Sequence, residues 1–416
     1  MDKNARYWVL YDFANSFLSA ALEGLYFSQW VILDNKFPDI WYGGVFSAAT
    51  FLLLLTAPFL GAWSDIRGKK MPFLKVASVA MIAFGIILGV VANSLLPIVP
   101  KVIFALVAFF FLQYFYQASL TFYNPLLGQL STNKNRGFIS GIGQLVNNLG
   151  FVVATGVFLL LVQSHFTIFG EAGRNQVFLP ATILFALLSL PMLLRFKERI
   201  TDKTQHNVIN FKEVYNNTIT GLRELFTHQK NVGIFLIAFM LISDAILTAN
   251  LFFAIFMQEI YHIPDSQKFI LLSLMSIFVI PSCYISGKFS DKFGLKKVLL
   301  ISCIILITSF LLISLSTSVS LLYGLILLVG LGWGGYYTTA RALLVAISPQ
   351  KQLGEYFGFY STFQKFASII GPLTWGGVTF FLVNLGSNRY RIAVLSLVVL
   401  MVAGTLLLTR VKEERI

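Results

Sequence analysis

Twelve stretches of mostly apolar residues, most of them twenty or more long, run through this 416-residue chain and limit what it can fold into. They lie at roughly 9–33, 41–63, 72–92, 98–123, 138–163 and 177–195, and again at 232–258, 268–287, 298–316, 321–347, 356–383 and 390–410. A hydrocarbon core of about 30 Å takes about 20 helical residues to cross. An open sheet leaves unbonded edges in lipid, and runs this long are too evenly apolar for barrel strands. The sequence therefore predicts an all-α integral membrane protein of twelve transmembrane helices. Its composition, 57% hydrophobic with a mean hydropathy of +0.77, agrees: a water-soluble domain could not bury that much apolar surface.

The charge of +13 is placed in a way that excludes a nucleic-acid surface. Lys and Arg sit in short clusters between the apolar runs and make no continuous basic face, which fits anchoring to anionic lipid headgroups. With twelve crossings both termini fall on one side. That side holds 22 of the basic residues, from Lys3 and Arg6 through the cluster between Arg195 and Lys230 to Arg410, Lys412 and Arg415, and the other side holds 6. The positive-inside rule makes the richer side cytoplasmic. The opening "MDKNARYWVLYDFANSF" lacks the uncharged core and small-residue cleavage site of a signal peptide, so the first helix is expected to be retained. Cys283 and Cys303 both lie within apolar runs and read as small packing residues, with no disulfide framework and no metal site expected.

The charged phrase "GAWSDIRGKK" (61–70) returns as "GKFSDKFGLK" (287–296). An offset of 226 lays Gly61 on Gly287, Asp65 on Asp291, Gly68 on Gly294 and Lys70 on Lys296. A second match, offset by 217, lays "NPLLGQLSTNKNRGFISG" (124–141) on "RALLVAISPQKQLGEYFG" (341–358). Two matches in the same order point to a parallel duplication: a six-helix half at 1–195, a linker at 196–231 and a second half at 232–416. Within the linker, 208–226 brings Ile209, Val214, Ile219, Leu222 and Phe226 towards one side, the pattern of a helix lying in the membrane interface.

The repeated pattern G-x-x-x-D-(R/K)-x-G-(R/K)-(R/K) resembles the signature of the major facilitator superfamily, with Ile66 and Leu295 in slots where a basic residue is usual. The resemblance, carried by helix count, central loop and duplicated motif, implies two pseudo-symmetric six-helix halves. It also implies a cytoplasmic gate motif made of Gly61, Asp65, Arg67, Gly68, Lys69 and Lys70 and of Gly287, Asp291, Lys292, Gly294 and Lys296, which latches one state of the carrier. On physical grounds Gly allows a tight turn, and an Asp at a buried edge can face a helix N-terminus. "WVLYDFANSF" (8–17) and "EYFGFYSTFQKFASIIGP" (355–372) resemble, more narrowly, the vacuolar-effluxer-like, autophagy-related branch. That branch is linked to amino-acid efflux and includes bacterial members. The short termini and loops point to a bacterial cytoplasmic (inner) membrane.

Charge near the bilayer centre costs about 2.5 to 3.5 kcal/mol on insertion scales, so each such residue needs a partner or a purpose. On the first helix Asp12 and Glu23 are three turns, about 16 Å, apart on one face, with Asn15, Ser19 and Tyr26 near that face. Glu23 is the deeper and is expected to touch substrate or carry a proton. Asp12 reads equally well as an interfacial charge. The second half carries Asp244 near mid-depth on the seventh helix, Arg341 on the tenth and Lys365 on the eleventh. The superfamily architecture implies that Glu23, Asp244 and Arg341 line one water-filled cavity. For Lys365 two readings stand, contact with substrate or an ion pair with an acid of its own half. Gln113, Gln117 and Asn124 on the fourth helix and Gln144, Asn147 and Asn148 on the fifth are secondary candidates, since amides in membranes often join helices. Trp333, Trp375 and Tyr116 are candidate pocket walls, and "GLGWGG" (330–335) marks a bend or a close helix contact.

No G-x-x-x-x-G-K-(S/T) phosphate loop is present, and the four histidines lie apart in loops or at helix ends, so neither an ATP-driven pump nor an enzyme is expected. The chain reads as a monomeric secondary transporter, without cofactor, that moves a small polar solute by alternating access. Protons are the coupling ion expected from cavity carboxylates, and an amino acid or related zwitterion is the solute that suits acids facing a base. A siderophore, a peptide or a drug also fits, as does a non-transporting sensor or a lipid translocator on the same scaffold.

Overall fold

The computed structural model of the chain describes residues 2–130, 136–163, 167, 170–198, 220, 223–349 and 353–413, and within helices it leaves out the side chains at 24, 62, 65, 66, 136–141, 144 and 353–355. The expected interfacial helix at 208–226 lies almost wholly outside the described residues. The helices of the first half are α1 (Lys3–Ser19), α2 (Tyr26–Gln29), α3 (Asp39–Ile66), α4 (Met71–Ala92), α5 (Ile98–Tyr123), α6 (Leu127–Leu130), α7 (Arg136–Gln163) and α8 (Phe178–Arg195). The second half contributes α9 (Lys230–Tyr261), α10 (Asp265–Phe293), α11 (Leu295–Leu315), α12 (Val319–Ile347), α13 (Leu353–Phe366), α14 (Ile370–Phe381) and α15 (Asn388–Thr409).

Ten helical segments among the described residues are long and apolar enough to cross a membrane. The first and eleventh expected spans are the two that are interrupted. The first runs from α1 through a π-helical turn (Ala20–Gly24), α2 and a second π-helical turn (Trp30–Asp34). The eleventh breaks between α13 and α14, where the Gly371 N–H turns to a side chain and Pro372 has no N–H to give. Adding these two to the ten restores the twelve-helix count.

The chain packs as two units, one of Met1–Phe37 and Ala48–Asn217, the other of Pro38–Ser47 and Thr218–Ile416. In the first, α1 packs on α7 and α8, and α4 on α5 and α8; in the second, α9 packs on α15, and α12 on α10 and α11. The opening turns of α3 belong to the second unit. There Asp39, 2% exposed, accepts from Trp375 Nε1 at 3.2 Å and from the Tyr390 hydroxyl at 3.4 Å, and Ser47 Oγ donates to the Ile369 carbonyl at 3.0 Å.

One end of each unit is closed by the same device. The side chain of Asn4 pairs with the backbone of Lys197 (2.9 and 3.3 Å), and that of Asn231 pairs with the backbone of Lys412 (2.8 and 2.7 Å). One residue further on, Glu198 accepts from Lys70 N at 2.6 Å and Met71 N at 2.9 Å, while Glu413 accepts from Leu295 N at 2.8 Å and Lys296 N at 3.0 Å. A carboxylate thus satisfies orphan donors at the positive N-terminus of α4 in one unit and α11 in the other.

Small residues set the closest approaches. A Cβ on Gly150 would stand 2.2 Å from Ser16 Oγ, pressing α7 on α1. On α12 a Cβ on Gly330 would meet the Met275 carbonyl at 2.6 Å, and one on Gly334 the Val279 carbonyl at 2.5 Å. "GLGWGG" therefore marks a close helix contact; α12 is continuous through it.

Candidate functional site

In the first unit the polar stripe of the first span faces α5. At one end Trp8 stacks on Tyr123 (centroids 4.8 Å apart, planes at 3°), Trp8 Nε1 donates to the Tyr123 carbonyl (3.3 Å) and the Tyr123 hydroxyl donates to the Trp8 carbonyl (2.8 Å). That phenol also lies beside the carboxylate of Asp12. Further along, the Tyr116 phenol lies within hydrogen-bond reach of Ser19. Glu23 itself falls inside the π-helical turn Ala20–Gly24, and Gln113 Nε2 donates to its Oε1. A π turn adds a residue to the helical register and re-aims the side chains it carries, a device frequent at functional sites.

Two polar groups along this seam hold hydrogen-bonding capacity in reserve. Asn15, 1% exposed, has neither its Nδ2 nor its Oδ1 bonded, and Gln113 Oε1 is likewise unbonded. Buried amides without partners are costly, and they collect where a guest completes the bonding. Asn147 Nδ2 donates to the Asp12 carbonyl at 3.1 Å and so braces α7 on α1, while Gln117 Nε2 donates to Thr50 Oγ1 at 2.8 Å. Asn124 is exposed just past the end of α5, and the side chain of Gln144 lies outside the described part.

In the second unit Asp244 is fully buried, and its Oδ1 accepts from Gly371 N at 2.9 Å. The acid therefore caps α14 from a neighbouring helix. Lys365 lies in the last turn of α13, and Arg341 is exposed in the interior of α12. The Phe239 and Tyr336 rings stack (6.0 Å, 8°), and the Tyr336 hydroxyl donates to the Phe239 carbonyl at 3.0 Å, in the manner of Trp8 and Tyr123. A partly open pocket lies within this unit, lined by Phe253, Met257, Met275, Trp333 and Trp375, with Asn250 its one polar lining side chain. Trp333 and Trp375 thus line a pocket. Tyr116 belongs to the seam of the first unit.

A family model described as Major Facilitator Superfamily matches residues 12–372 and, a second time, 234–415. The chain belongs to that superfamily. It is similar over 427 residues, at 26% identity, to the MFS-type transporter YxiO of Bacillus subtilis (strain 168), covering 99% of this chain and 95% of the relative. It is 25% identical over 367 residues to autophagy-related protein 22 of Kluyveromyces lactis, covering 82% of this chain and 66% of that protein. Among solved structures, the nucleoside transporter NupG superposes with a TM-score of 0.74 over all of both chains at 18% identity, a likeness of fold. The protein is a multi-pass membrane transporter of this superfamily and not an enzyme.

The superfamily motif divides into parts with different work. Gly68 (φ +61°) and Gly294 (φ +96°) hold backbone conformations that side chains disfavour, and these are the tight turns the sequence asked for. Gly61 and Gly287 lie inside α3 and α10, and a Cβ at either would meet nothing within 4 Å. The Arg67 guanidinium lies 5.3 Å from the Trp63 ring centroid and Lys292 Nζ 5.3 Å from that of Phe293; Lys69 is exposed. Lys70 Nζ donates to Ser64 Oγ at 3.3 Å, and Lys296 Nζ to the Thr409 carbonyl at 2.7 Å. Asp291 is exposed, and the side chain of Asp65 lies outside the described part. The motif's neighbouring helix N-termini are capped by Glu198 and Glu413, which sequence reasoning passed over. The signal was there: "KN" recurs at 3–4 and 230–231, and "RFKE" (195–198) returns as "RVKE" (410–413). Thr248 and Gly371, which surround Asp244, carried no such signal.

Proposed function

We propose that this protein is a proton-coupled secondary transporter that moves a small polar solute, an amino acid or related zwitterion, across a bacterial inner membrane by alternating access. The observation that carries the reading is Glu23: a carboxyl in the membrane interior, set in a π turn and held by one amide, on the same span as the unbonded buried amide of Asn15. A carboxyl so placed can hold a proton in one state and release it in another, and the unbonded amide groups of Asn15 and Gln113 can accept and donate to a polar guest. Arg341, exposed on α12, offers a carboxylate a bidentate partner. Asp12, Asn147 and Gln113 support the seam. The motif residues of both copies act as the gate, both termini are cytoplasmic by the positive-inside count, and the transporter works as a monomer.

A second reading is favoured by the pocket of the second unit, whose lining is apolar except for Asn250: the solute carries an apolar part, as a drug does.

The test is flux in proteoliposomes. A pooled set of labelled amino acids is offered across an imposed pH gradient, with and without a protonophore. Uptake or efflux that the protonophore abolishes supports the proposal. Absence of flux in vesicles that hold verified, folded protein overturns the amino-acid assignment, and flux indifferent to the protonophore overturns proton coupling.

A further inference from the structure

The break in the eleventh span gathers more oxygen than its hydrogen bonds use. Asp244 is 0% exposed; its Oδ1 takes the Gly371 N–H at 2.9 Å, and its Oδ2 has no partner. Thr248, one turn further along α9 and also 0% exposed, has an unbonded Oγ1. The two converge, because a Cβ on Gly371 would lie 2.0 Å from Thr248 Oγ1 and 2.7 Å from Asp244 Oδ1.

The backbone adds to this set. In a continuous helix the Ala367 carbonyl would receive the Gly371 N–H and the Ser368 carbonyl a donor from position 372. The first donor is spent on Asp244, and the second does not exist, since residue 372 is proline. Both carbonyls thus lose their helical donors at the place where α13 presents its negative C-terminal end. Asp244 makes no ion pair among the described residues. Charged or titratable groups on the helices packed against α9 include Lys365 in the last turn of α13, the exposed Arg341 on α12, the phenols of Tyr323, Tyr336, Tyr337, Tyr356 and Tyr360, and Arg389, Tyr390 and Arg391 in the first turn of α15.

We propose that Asp244 Oδ2, Thr248 Oγ1 and the carbonyls exposed at the break between α13 and α14 bind a dehydrated alkali cation of about sodium size. An anionic oxygen, a hydroxyl and helix-end carbonyls form the hard oxygen donor set that such an ion takes at interrupted membrane helices. The cation neutralises the buried carboxylate and ties α9 to both halves of the broken span. The site lies wholly within the second unit and is independent of Glu23 and of the solute.

The test is thermal unfolding of the purified full chain in lipid nanodiscs at about pH 7.5, with sodium, potassium or choline chloride titrated at constant ionic strength. Trp375, one turn beyond Gly371 and buried, supplies a fluorescence signal beside the break. A saturable rise in melting temperature with sodium or potassium and none with choline is expected. Thr248→Val, close to isosteric, should weaken the apparent affinity about tenfold, Asp244→Asn should abolish the response, and Glu23→Gln should leave it intact. Acidification should weaken the cation's apparent affinity, because protons compete for the same carboxylate. Equal melting in alkali and choline salts overturns the proposal, as does an unchanged response in Thr248→Val, which decides the matter if Asp244→Asn does not fold. No transport is read, so loss of the proton-coupled amino-acid reading leaves this result standing, and the reverse holds too.

Discussion

The first and seventh spans hold equivalent places in the duplicated chain, yet they carry their acids in opposite ways. The first span is itself interrupted, by two π-helical turns, and its Glu23 is met by a side chain, Gln113 of α5. The seventh is an unbroken 32-residue helix whose Asp244 is met by backbone, at a break in its neighbour. The ends of the two units remain alike: Asn4 matches Asn231, Glu198 matches Glu413, and Gly68 matches Gly294. Where the two halves agree the residues close helix ends, a task any six-helix unit has. Where they differ they place charge in the membrane interior, where the proposed coupling and cation binding would act.

The sharpest way to break that contrast is to neutralise both acids. Glu23→Gln should abolish proton-driven flux, a loss of a hundredfold or more, while the melting temperature in nanodiscs moves little, because an amide can still bond Gln113. Asp244→Asn should keep the response to a pH gradient and lose the response to alkali cations. Matching phenotypes in the paired flux and melting assays would show the two acids to be one functional unit and remove the distinction drawn here.

The break itself comes next. Gly371→Ala puts a methyl group against Thr248 Oγ1 and Asp244 Oδ1, and Thr248 is β-branched and buried in a helix, so it has little freedom to move. A cost of about 1 to 3 kcal/mol is expected. Gly377→Ala, on the same α14 with nothing within 4 Å of the added atom, is the control and should cost nothing. Denaturation of both variants in mixed micelles measures the difference.

The end caps should behave as twins. Glu198→Gln and Glu413→Gln each remove a charge from a helix N-terminus while keeping an acceptor, so each should cost about 1 kcal/mol. Costs that differ several-fold between the two would mean that the duplicated ends have also diverged.

Much of this was legible in the sequence, for reasons that can be named. Apolar length fixed the twelve spans, because lipid leaves a chain no other way to bond its backbone. The repeat exposed the two halves because residues at the helix ends, such as Gly68 and Gly294 at the tight turns, keep their identity when copied. Glu23 and Asp244 stood out because charge in lipid is rare. The π turns and the break before Gly371 were hidden: a π turn needs no Gly or Pro, and Pro372 in an apolar run reads as a tolerated kink. Thr248 and the unbonded Asn15 are ordinary residues in membrane helices, and only their surroundings single them out.

The smallest effects fall on the motif glycines, and they separate turn from helix. Gly68→Ala and Gly294→Ala force a side chain into a left-handed or otherwise strained backbone and should each cost about 1 to 2 kcal/mol. Gly61→Ala and Gly287→Ala should be neutral or stabilise by up to about 1 kcal/mol, since each sits inside a helix with open space around it. Flux gives these two variants a second readout. If Gly61→Ala melts like the parent and transports like it, the first glycine of the motif serves only the helix that carries it. If it melts like the parent and transport collapses, that open space is filled in another state of the cycle, and the copied ends of the two units would have to be counted with the moving parts.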